Sequence, residues 1–177
     1  PGWEYKFYDD DACRETVRKY LPEFLPIYDH ATVIQKTDIF RVIAVYGEGG
    51  FYLDMDVECL SPLDDLCEFR CVFGEELTLT EEVTERLGHR DRLRVANYMF
   101  GSEPGHPFLK AVIDRAIANI RTYTPQRFGM SKTGVLRVSG PICFTEAIWP
   151  LREHFPWTAL DAVDLGFRYS IYEETAD

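Results

Sequence analysis

Two aspartates separated by a single residue, Asp54 and Asp56, are the first candidates for chemistry in this sequence. They fall within an apolar segment, residues 51–57, that is predicted to form a strand. Side chains two apart on a strand point the same way, so both carboxylates are expected to reach one small site. Two close negative charges are costly unless a cation lies between them or water surrounds them, and a divalent ion with oxygen ligands is the natural cation. A solvated surface pair is the alternative. A structural Ca²⁺ site is disfavoured, because two carboxylates supply few of the roughly six to eight oxygens that this ion takes.

A second charged pair, Asp38 and Arg41, precedes the acidic strand on a helix predicted over residues 33–46. The two residues are three apart, which makes them neighbours on one edge of the helix. One interpretation is an exposed ion pair that contributes on the order of a few tenths of a kcal/mol. The other places them beside the acidic strand, where the arginine meets a phosphate or sugar hydroxyl and the aspartate binds sugar hydroxyls. Gly49 and Gly50 lie between helix and strand and permit a tight turn or a close backbone approach.

The elements predicted around these residues alternate between helices and strands. Helices are predicted over 12–21, over 33–46, from Pro107 onward and from Pro141 onward, and strands over 5–8, 51–57, 70–74, 95–101, 157–160 and 167–172, with 78–94 as a loop or short helix. This alternation predicts an α/β fold, a mixed sheet flanked by helices, with ligands at the carboxyl ends of strands. No linker or repeat divides the chain, so we expect one domain over residues 1–177.

The charge balance excludes whole classes of partner. The chain of 177 residues carries 19 Lys and Arg against 30 Asp and Glu, a net charge of −11, which repels nucleic acid and anionic membranes. No apolar run is long enough to predict a transmembrane segment. The sequence begins without Met or a signal peptide, and we expect a domain truncated at its N-terminus and perhaps at its C-terminus.

The cysteines and histidines fit no metal or disulfide framework. The five cysteines are odd in number and loosely spaced, which predicts reduced thiols. Reduced thiols favour a cytoplasmic location, with the Golgi lumen as the alternative if a membrane anchor has been removed. His106 lies between Gly105 and Pro107 at a predicted helix start, where capping or packing is expected rather than metal binding. Glu75 and Glu76 line an acceptor site or form a solvated pair, and the sequence leaves both interpretations open.

The segment from Lys36 to Asp56 resembles the signature of the sugar-binding-region glycosyltransferases with a DXD motif. The pattern is an Asp, an Arg three residues later, a Gly-Gly pair and then Tyr-x-Asp-x-Asp. The family includes yeast-type initiating α-1,6-mannosyltransferases, inositol-phosphoceramide mannosyltransferases, α-1,4-galactosyltransferases, bacterial capsule enzymes and glucosylating clostridial toxins. Further similar blocks begin at Pro1-Gly2-Trp3-Glu4-Tyr5, at Asn97 with Pro104-Gly-His106-Pro107, and at Ser139-Gly140-Pro141 with Thr145, so the resemblance covers residues 1 to about 150.

The resemblance implies a GT-A-like fold, related to the Rossmann fold, and a retaining transfer that depends on Mn²⁺ or Mg²⁺. By match, Asp56 would bind the metal, and Asp54 would contact the ribose and the sugar and reach the metal, directly or through water. Asp38 and Arg41 would hold the donor sugar and, with Asn97 near the reacting centre, form the catalytic set. The implied donor-binding residues are Asp38, Arg41, Gly49, Gly50, Tyr52, Asp54 and Gly140.

Two family elements have no counterpart here: the first strand, which helps bind the nucleotide base, and a closing His and Trp, for which nothing after Trp157 matches. The function implied is transfer of a hexose or N-acetylhexosamine from a nucleotide-diphosphate sugar to a glycan or glycolipid acceptor. A UDP-sugar is the favoured donor and GDP-mannose the alternative. The alternative function is an inactive module that binds a nucleotide sugar or a glycan.

Overall fold

The computed structural model describes residues 2–87, 92–124, 132–151 and 167–169. Within these ranges the helices are α1 (Asp10–Tyr20), α2 (Leu25–His30), α3 (Val33–Glu48), α4 (Glu81–Leu87), α5 (Pro107–Arg121), α6 (Lys132–Val138) and α7 (Pro141–Ile148). The strands are β1 (Gly50–Leu53), β2 (Val57–Cys59), β3 (Cys71–Thr78), β4 (Leu93–Ser102) and β5 (Phe167–Tyr169), and short 3₁₀ turns occupy Pro22–Phe24, Asp64–Glu68 and Trp149–Leu151. The α/β class expected of the chain is confirmed.

Local signals explain the start and end of α3, the helix that carries the charged pair. Thr32 and Gln35 form a capping box, in which each side chain binds the other residue's backbone N–H. The helix ends at Gly49, whose φ of 74° lies in the left-handed region that only glycine adopts at little cost. The next residue, Gly50, also has a positive φ and begins β1. The chain therefore reverses sharply from α3 into the strand beside the site.

Strand β4 is the centre of a three-stranded sheet with the order β1-β4-β3. Both of its neighbours run antiparallel to it, with Leu53 opposite Met99 and Phe73 opposite Phe100. A separate antiparallel pair joins β2 to β5. Because β4 extends beyond the end of β1, its first residues lie next to the point where β1 stops.

Side chains alternate across the sheet, so its two faces belong to two apolar clusters. Phe73 and Phe100 pack with residues of α1, α3, α5 and α7 in the larger core. Val72 and Met99 pack on the other face with Leu66 of the 3₁₀ turn. The sheet is therefore covered by helices on one face and by the segment after β2 on the other.

Two strand predictions are wrong. Residues 5–8 form no strand, because Lys6 and Tyr8 turn toward Glu48 at the end of α3 while Tyr5 stays exposed. The strand predicted over 51–57 is interrupted after Leu53, where the backbone turns and the N–H of Val57 donates to the carbonyl of Asp54 at 3.0 Å.

The other predicted elements are found with shifted ends. Four predicted helices are found. Those predicted over 12–21 and 33–46 are α1 and α3, and those predicted from Pro107 and Pro141 are α5 and α7. The strands predicted over 70–74 and 95–101 extend to Cys71–Thr78 and Leu93–Ser102, with α4 between them. Of the closing strands, 157–160 lies outside the described residues and 167–172 is described only at 167–169. None of the helices in the described part combines the length and apolar character needed to cross a bilayer.

Candidate functional site

Arg41 is the centre of a charged cluster where α3 meets the end of β1. One of its terminal nitrogens, NH1, donates to Asp54 Oδ1 at 3.0 Å and to the backbone carbonyl of Asn97 at 3.1 Å. The other, NH2, lies 3.3 Å from Asp38 Oδ1. Arg41 is only 8% exposed and Asp38 only 6%, so the alternative of an exposed helix ion pair is wrong. The tertiary fold brings the pair beside the first aspartate of the acidic motif.

Tyr52, on β1, contacts both Asp54 and Arg41. Its hydroxyl donates to Asp54 Oδ1 at 2.5 Å, and its ring lies 4.8 Å from the guanidinium carbon of Arg41. Burial and the hydrogen bond to Asp54 raise the pKa of Tyr52 despite the opposing charge of Arg41. The phenol therefore stays protonated and keeps its role as a donor to the carboxylate.

Asp38 is held on both of its oxygens by the protein. While Oδ1 faces Arg41, Oδ2 accepts a hydrogen bond from the hydroxyl of Ser139 at 2.7 Å. Burial raises the pKa of Asp38, and the guanidinium of Arg41 and the hydroxyl of Ser139 oppose that rise by stabilising the charged form. Ser139 was predicted only as part of a turn, and its side-chain contact was missed. The Ser-Gly-Pro triplet was the signal available for it.

Asn97 joins the cluster through its backbone. Its carbonyl accepts from Arg41, while the side chain is half-buried on β4 next to the end of β1. Among the described residues no hydrogen bond to its side-chain amide is found. The position implied for Asn97 near a reacting centre stays a prediction.

Asp54 and Asp56 do not share a strand, so the strand-based reason for placing them on one side is wrong. They bracket the fully exposed Met55 in the turn after β1, with Asp56 exposed and Asp54 partly buried. Asp54 Oδ1 is engaged by Arg41 and Tyr52, which leaves Oδ2 for a further ligand. In the described ranges no cluster of three or more metal-ligating side chains is found. The pair fits an open Mn²⁺ or Mg²⁺ site, in which water and phosphate oxygens complete the shell, and does not fit a closed cage.

The predicted donor-binding glycines have different structural settings. A Cβ atom on Gly49 would lie 2.9 Å from Cδ of Pro104, whereas one on Gly50 would meet nothing within 4 Å. A Cβ atom on Gly140 would lie 2.9 Å from the Cα of Leu136, so Gly140 permits the close approach of α6 and α7. Gly50 thus leaves open space beside the site, while Gly49 and Gly140 shape the backbone around it.

The remaining predicted candidates are placed as follows. His106 caps α5, because its Nδ1 accepts from the N–H of Phe108 at 3.2 Å, as expected. Glu76 forms a partly buried ion pair with Arg94 at 3.5 Å, so it is not part of a solvated pair. All five cysteines are free thiols, as predicted.

Comparison with known proteins shows which family the segment around this site is similar to. Residues 1–73 match the family described as "Glycosyltransferase sugar-binding region containing DXD motif". The matched segment contains Asp38, Arg41, Tyr52 and the acidic turn. The resemblance to the DXD-type glycosyltransferases is therefore confirmed, and this chain is related to them.

Three relatives show how similar this chain is to individual proteins and how much of each it covers. Inositol phosphoceramide mannosyltransferase 2 of Schizosaccharomyces pombe is 30% identical over 141 residues, which cover 78% of this chain and 37% of the relative. Inositol phosphoceramide mannosyltransferase 1 of the same yeast is 27% identical, over 93% of this chain and 47% of the relative. A mannosyl phosphorylinositol ceramide synthase of Saccharomyces cerevisiae is 27% identical, over 84% and 34%. The chain therefore spans between a third and a half of the length of these relatives.

A solved structure, PaToxG Glycosyltransferase, superposes with a TM-score of 0.44 and 19% identity. The superposition covers 84% of this chain and 45% of that one.

Proposed function

We propose that this chain binds a nucleotide-diphosphate sugar at the Arg41 cluster and takes part in transferring its hexose to a glycan or glycolipid acceptor. The observation that carries the proposal is the contact of Arg41 with both Asp38 and Asp54 inside a segment that matches the DXD sugar-binding family. A buried guanidinium with two carboxylates around it, next to an exposed acidic turn, suits a ligand that carries both hydroxyls and phosphates.

The residues of the cluster have distinct roles in this proposal. Asp38 and Arg41 bind hydroxyls of the donor sugar, and the Arg41 charge stabilises negative charge on the departing diphosphate. Asp56, exposed in its turn, and Asp54 through Oδ2 would hold Mn²⁺ or Mg²⁺. The ion, when bound, neutralises the charge of the diphosphate and so makes it a better leaving group. Asn97 places its amide near the anomeric carbon.

The names of the relatives favour mannose as the transferred sugar. All three of the relatives described above are named for mannosyl transfer to inositol-containing ceramide. We therefore propose GDP-mannose as the first donor to test and treat UDP-sugars as the alternative. A lipid headgroup with free hydroxyls is the corresponding acceptor class.

We propose retention at the anomeric carbon, with the acceptor attacking from the face that the diphosphate leaves. Both oxygens of Asp38 are bound, by Arg41 and Ser139, and Asp54 is proposed to hold the metal through its remaining oxygen, so neither is a free nucleophile for a covalent intermediate. The test is the anomeric configuration of the new glycosidic bond in the product, read by NMR and compared with that of the donor sugar. An inverted product would refute this mechanism.

The proposal is tested first by binding. A ligand present at about a hundred times its dissociation constant stabilises the folded state by about 2.7 kcal/mol. At about 2–4 °C per kcal/mol for a chain of this size, the melting midpoint should rise by about 5–10 °C with GDP-mannose and Mn²⁺, and by less without Mn²⁺. No rise with any GDP- or UDP-sugar would refute the donor site.

The metal assignment is tested with Asp56→Asn and the matched control Asp65→Asn, since both residues are exposed acids. We expect Asp56→Asn to remove the effect of Mn²⁺ on donor binding and Asp65→Asn to keep it. Equal Mn²⁺ dependence in both variants would overturn the assignment.

Release of free nucleoside diphosphate in the presence of acceptor separates an enzyme from the alternative, a module that binds the donor without turnover.

A further inference from the structure

Ser139 makes a buried contact with the site from a distant part of the chain. It lies in the turn between α6 and α7, is only 1% exposed, and its hydroxyl donates to Asp38 Oδ2 at 2.7 Å. A hydroxyl hydrogen bond to a buried carboxylate is charge-assisted and therefore stronger than one between neutral groups. The contact fixes the orientation of the Asp38 carboxylate, because the second oxygen is then directed at Arg41.

The turn that carries Ser139 is itself held in place. The side-chain amide of Asn119, on α5, donates to the carbonyls of Arg137 at 3.0 Å and Val138 at 3.2 Å. These carbonyls belong to the last turn of α6, which has no further helical N–H groups to bind them. Close approach of Gly140 to Leu136 fixes the other side of the turn. Ser139 therefore reaches Asp38 from a backbone whose position is set by neighbouring helices.

The contacts form one continuous series from Ser139 through Asp38 to Arg41. We propose that Ser139 is a positioning residue, whose hydroxyl orients Asp38 and thereby aims the guanidinium of Arg41 at the donor site. The inference rests on the proposed function for its effect on donor binding. It goes beyond that function by adding a residue that lies far from the acidic turn in the sequence and acts through Asp38.

Loss of the hydroxyl has a specific structural consequence. Asp38 Oδ2 would remain buried without a donor, which is unfavourable for a charged oxygen. The nearest charged group that could satisfy it is the guanidinium of Arg41, which binds carboxylates through two parallel hydrogen bonds. Such a rearrangement draws Arg41 toward Asp38 and away from Asp54 and the carbonyl of Asn97.

The test compares Ser139→Ala with Thr16→Val. Thr16 is also buried, and its hydroxyl donates to the Ala12 carbonyl within α1, so the control deletes a buried hydroxyl remote from Arg41. The first readout is the NMR signal of the Arg41 side-chain N–H groups, assigned by its loss in Arg41→Lys. The second is the dissociation constant of GDP-mannose with Mn²⁺. We expect Ser139→Ala to shift the Arg41 signal and weaken donor binding about tenfold, and Thr16→Val to change neither.

A second comparison shows whether Ser139 acts through Asp38. In an Asp38→Ala background, Ser139→Ala should produce no further change in the Arg41 signal or in donor binding. An additional shift of the same size in that background would overturn the proposal. So would an unchanged Arg41 signal in Ser139→Ala, whatever the donor affinity.

The two proposals fail in different ways. Suppose that the unaltered protein binds no nucleotide sugar, while Ser139→Ala shifts the Arg41 signal and Thr16→Val does not. The proposed function is then refuted, and the positioning of Arg41 by Ser139 is supported. If the protein binds the donor but Ser139→Ala, like Thr16→Val, changes neither the Arg41 signal nor the donor affinity, the positioning role is refuted and the proposed function is retained.

Discussion

Replacing Arg41 by methionine removes the charge at the centre of the site and keeps most of the side-chain length. Asp38, 6% exposed, then has no cationic partner among the residues that the structure describes. Removing one partner of a buried ion pair costs about 3–5 kcal/mol, because the other charge stays buried and unpaired. The Asp54 side chain is 31% exposed, so water screens its loss and it adds little. We expect the free energy of unfolding to fall by about 3 kcal/mol, which lowers the melting midpoint by about 6–12 °C.

The size of this loss should depend on pH. Burial holds the pKa of Asp38 above its ordinary value of 3.8, and the Arg41 charge is the main force that opposes the rise. Without Arg41, the folded-state pKa rises further above the unfolded one. Between those two values the folded state binds more protons than the unfolded state, so stability falls as the pH increases. The deficit of Arg41→Met should therefore be small near pH 4 and reach its full value above the folded-state pKa.

Urea unfolding of both proteins at about pH 5 and pH 8 measures this difference. The double variant Arg41→Met with Asp38→Asn removes both charges and keeps an oxygen that can accept from Ser139, so it should recover most of the lost stability at pH 8. An equal deficit at both pH values, or a double variant no more stable than the single one, would refute the buried-pair argument.

Two further predictions concern the backbone around the site. Burial, and to a smaller extent the Arg70 charge, lowers the pKa of His106 below its ordinary value of 6.5. Neutral His106 caps α5, so the stability of the protein should fall as the pH drops through 6.5. His106→Asn keeps a capping oxygen and should show a smaller fall in melting midpoint between about pH 7.5 and pH 5.5. Gly49→Ala should lower the free energy of unfolding, measured with urea, by about 2 kcal/mol, because its φ is 74° and the Pro104 ring lies close. Gly50→Ala should lower it by only about 1 kcal/mol, because its φ of 93° is the single source of strain.

Each of these predictions has its own control. His30→Asn changes an exposed histidine at the end of α2 and should leave the acid-side loss of stability as it is. A His106→Asn protein that loses stability as steeply as the unaltered chain would contradict the capping argument. Equal losses at Gly49 and Gly50 would show that the contact with Pro104 adds nothing to the backbone strain.

Several elements of the fold were predictable because their signals are local. The prolines that open α5 and α7 act within a few residues. The same is true of the glycines that end α3. Each predicts an element from interactions that the backbone makes with its own neighbours, so the tertiary structure changes only the exact ends.

The association of Asp38 and Arg41 with Asp54 was predicted as one of two alternatives. Spacing places the charged pair on one edge of a helix, but it does not tell whether that edge meets solvent or a strand. Only the packing of α3 against the sheet decides between them, since it buries the pair and brings Asp54 to within 3.0 Å of Arg41.

The sequence by itself determined α1, α3, α5 and α7, the acidic motif and the family to which that motif is similar, because these depend on residues close together in the chain. It did not predict α2 or α6. Tertiary structure alone decided that β1 ends before Asp54 and that Ser139 reaches Asp38 across 101 positions of sequence. The physical reason is that both outcomes depend on groups brought together by packing. The N–H of Asp54 still donates to the carbonyl of Tyr98 on β4 while the backbone turns, and the buried Asp38 carboxylate binds the hydroxyl that packing places beside it. Neither the partner strand nor the nearest donor is encoded by local spacing.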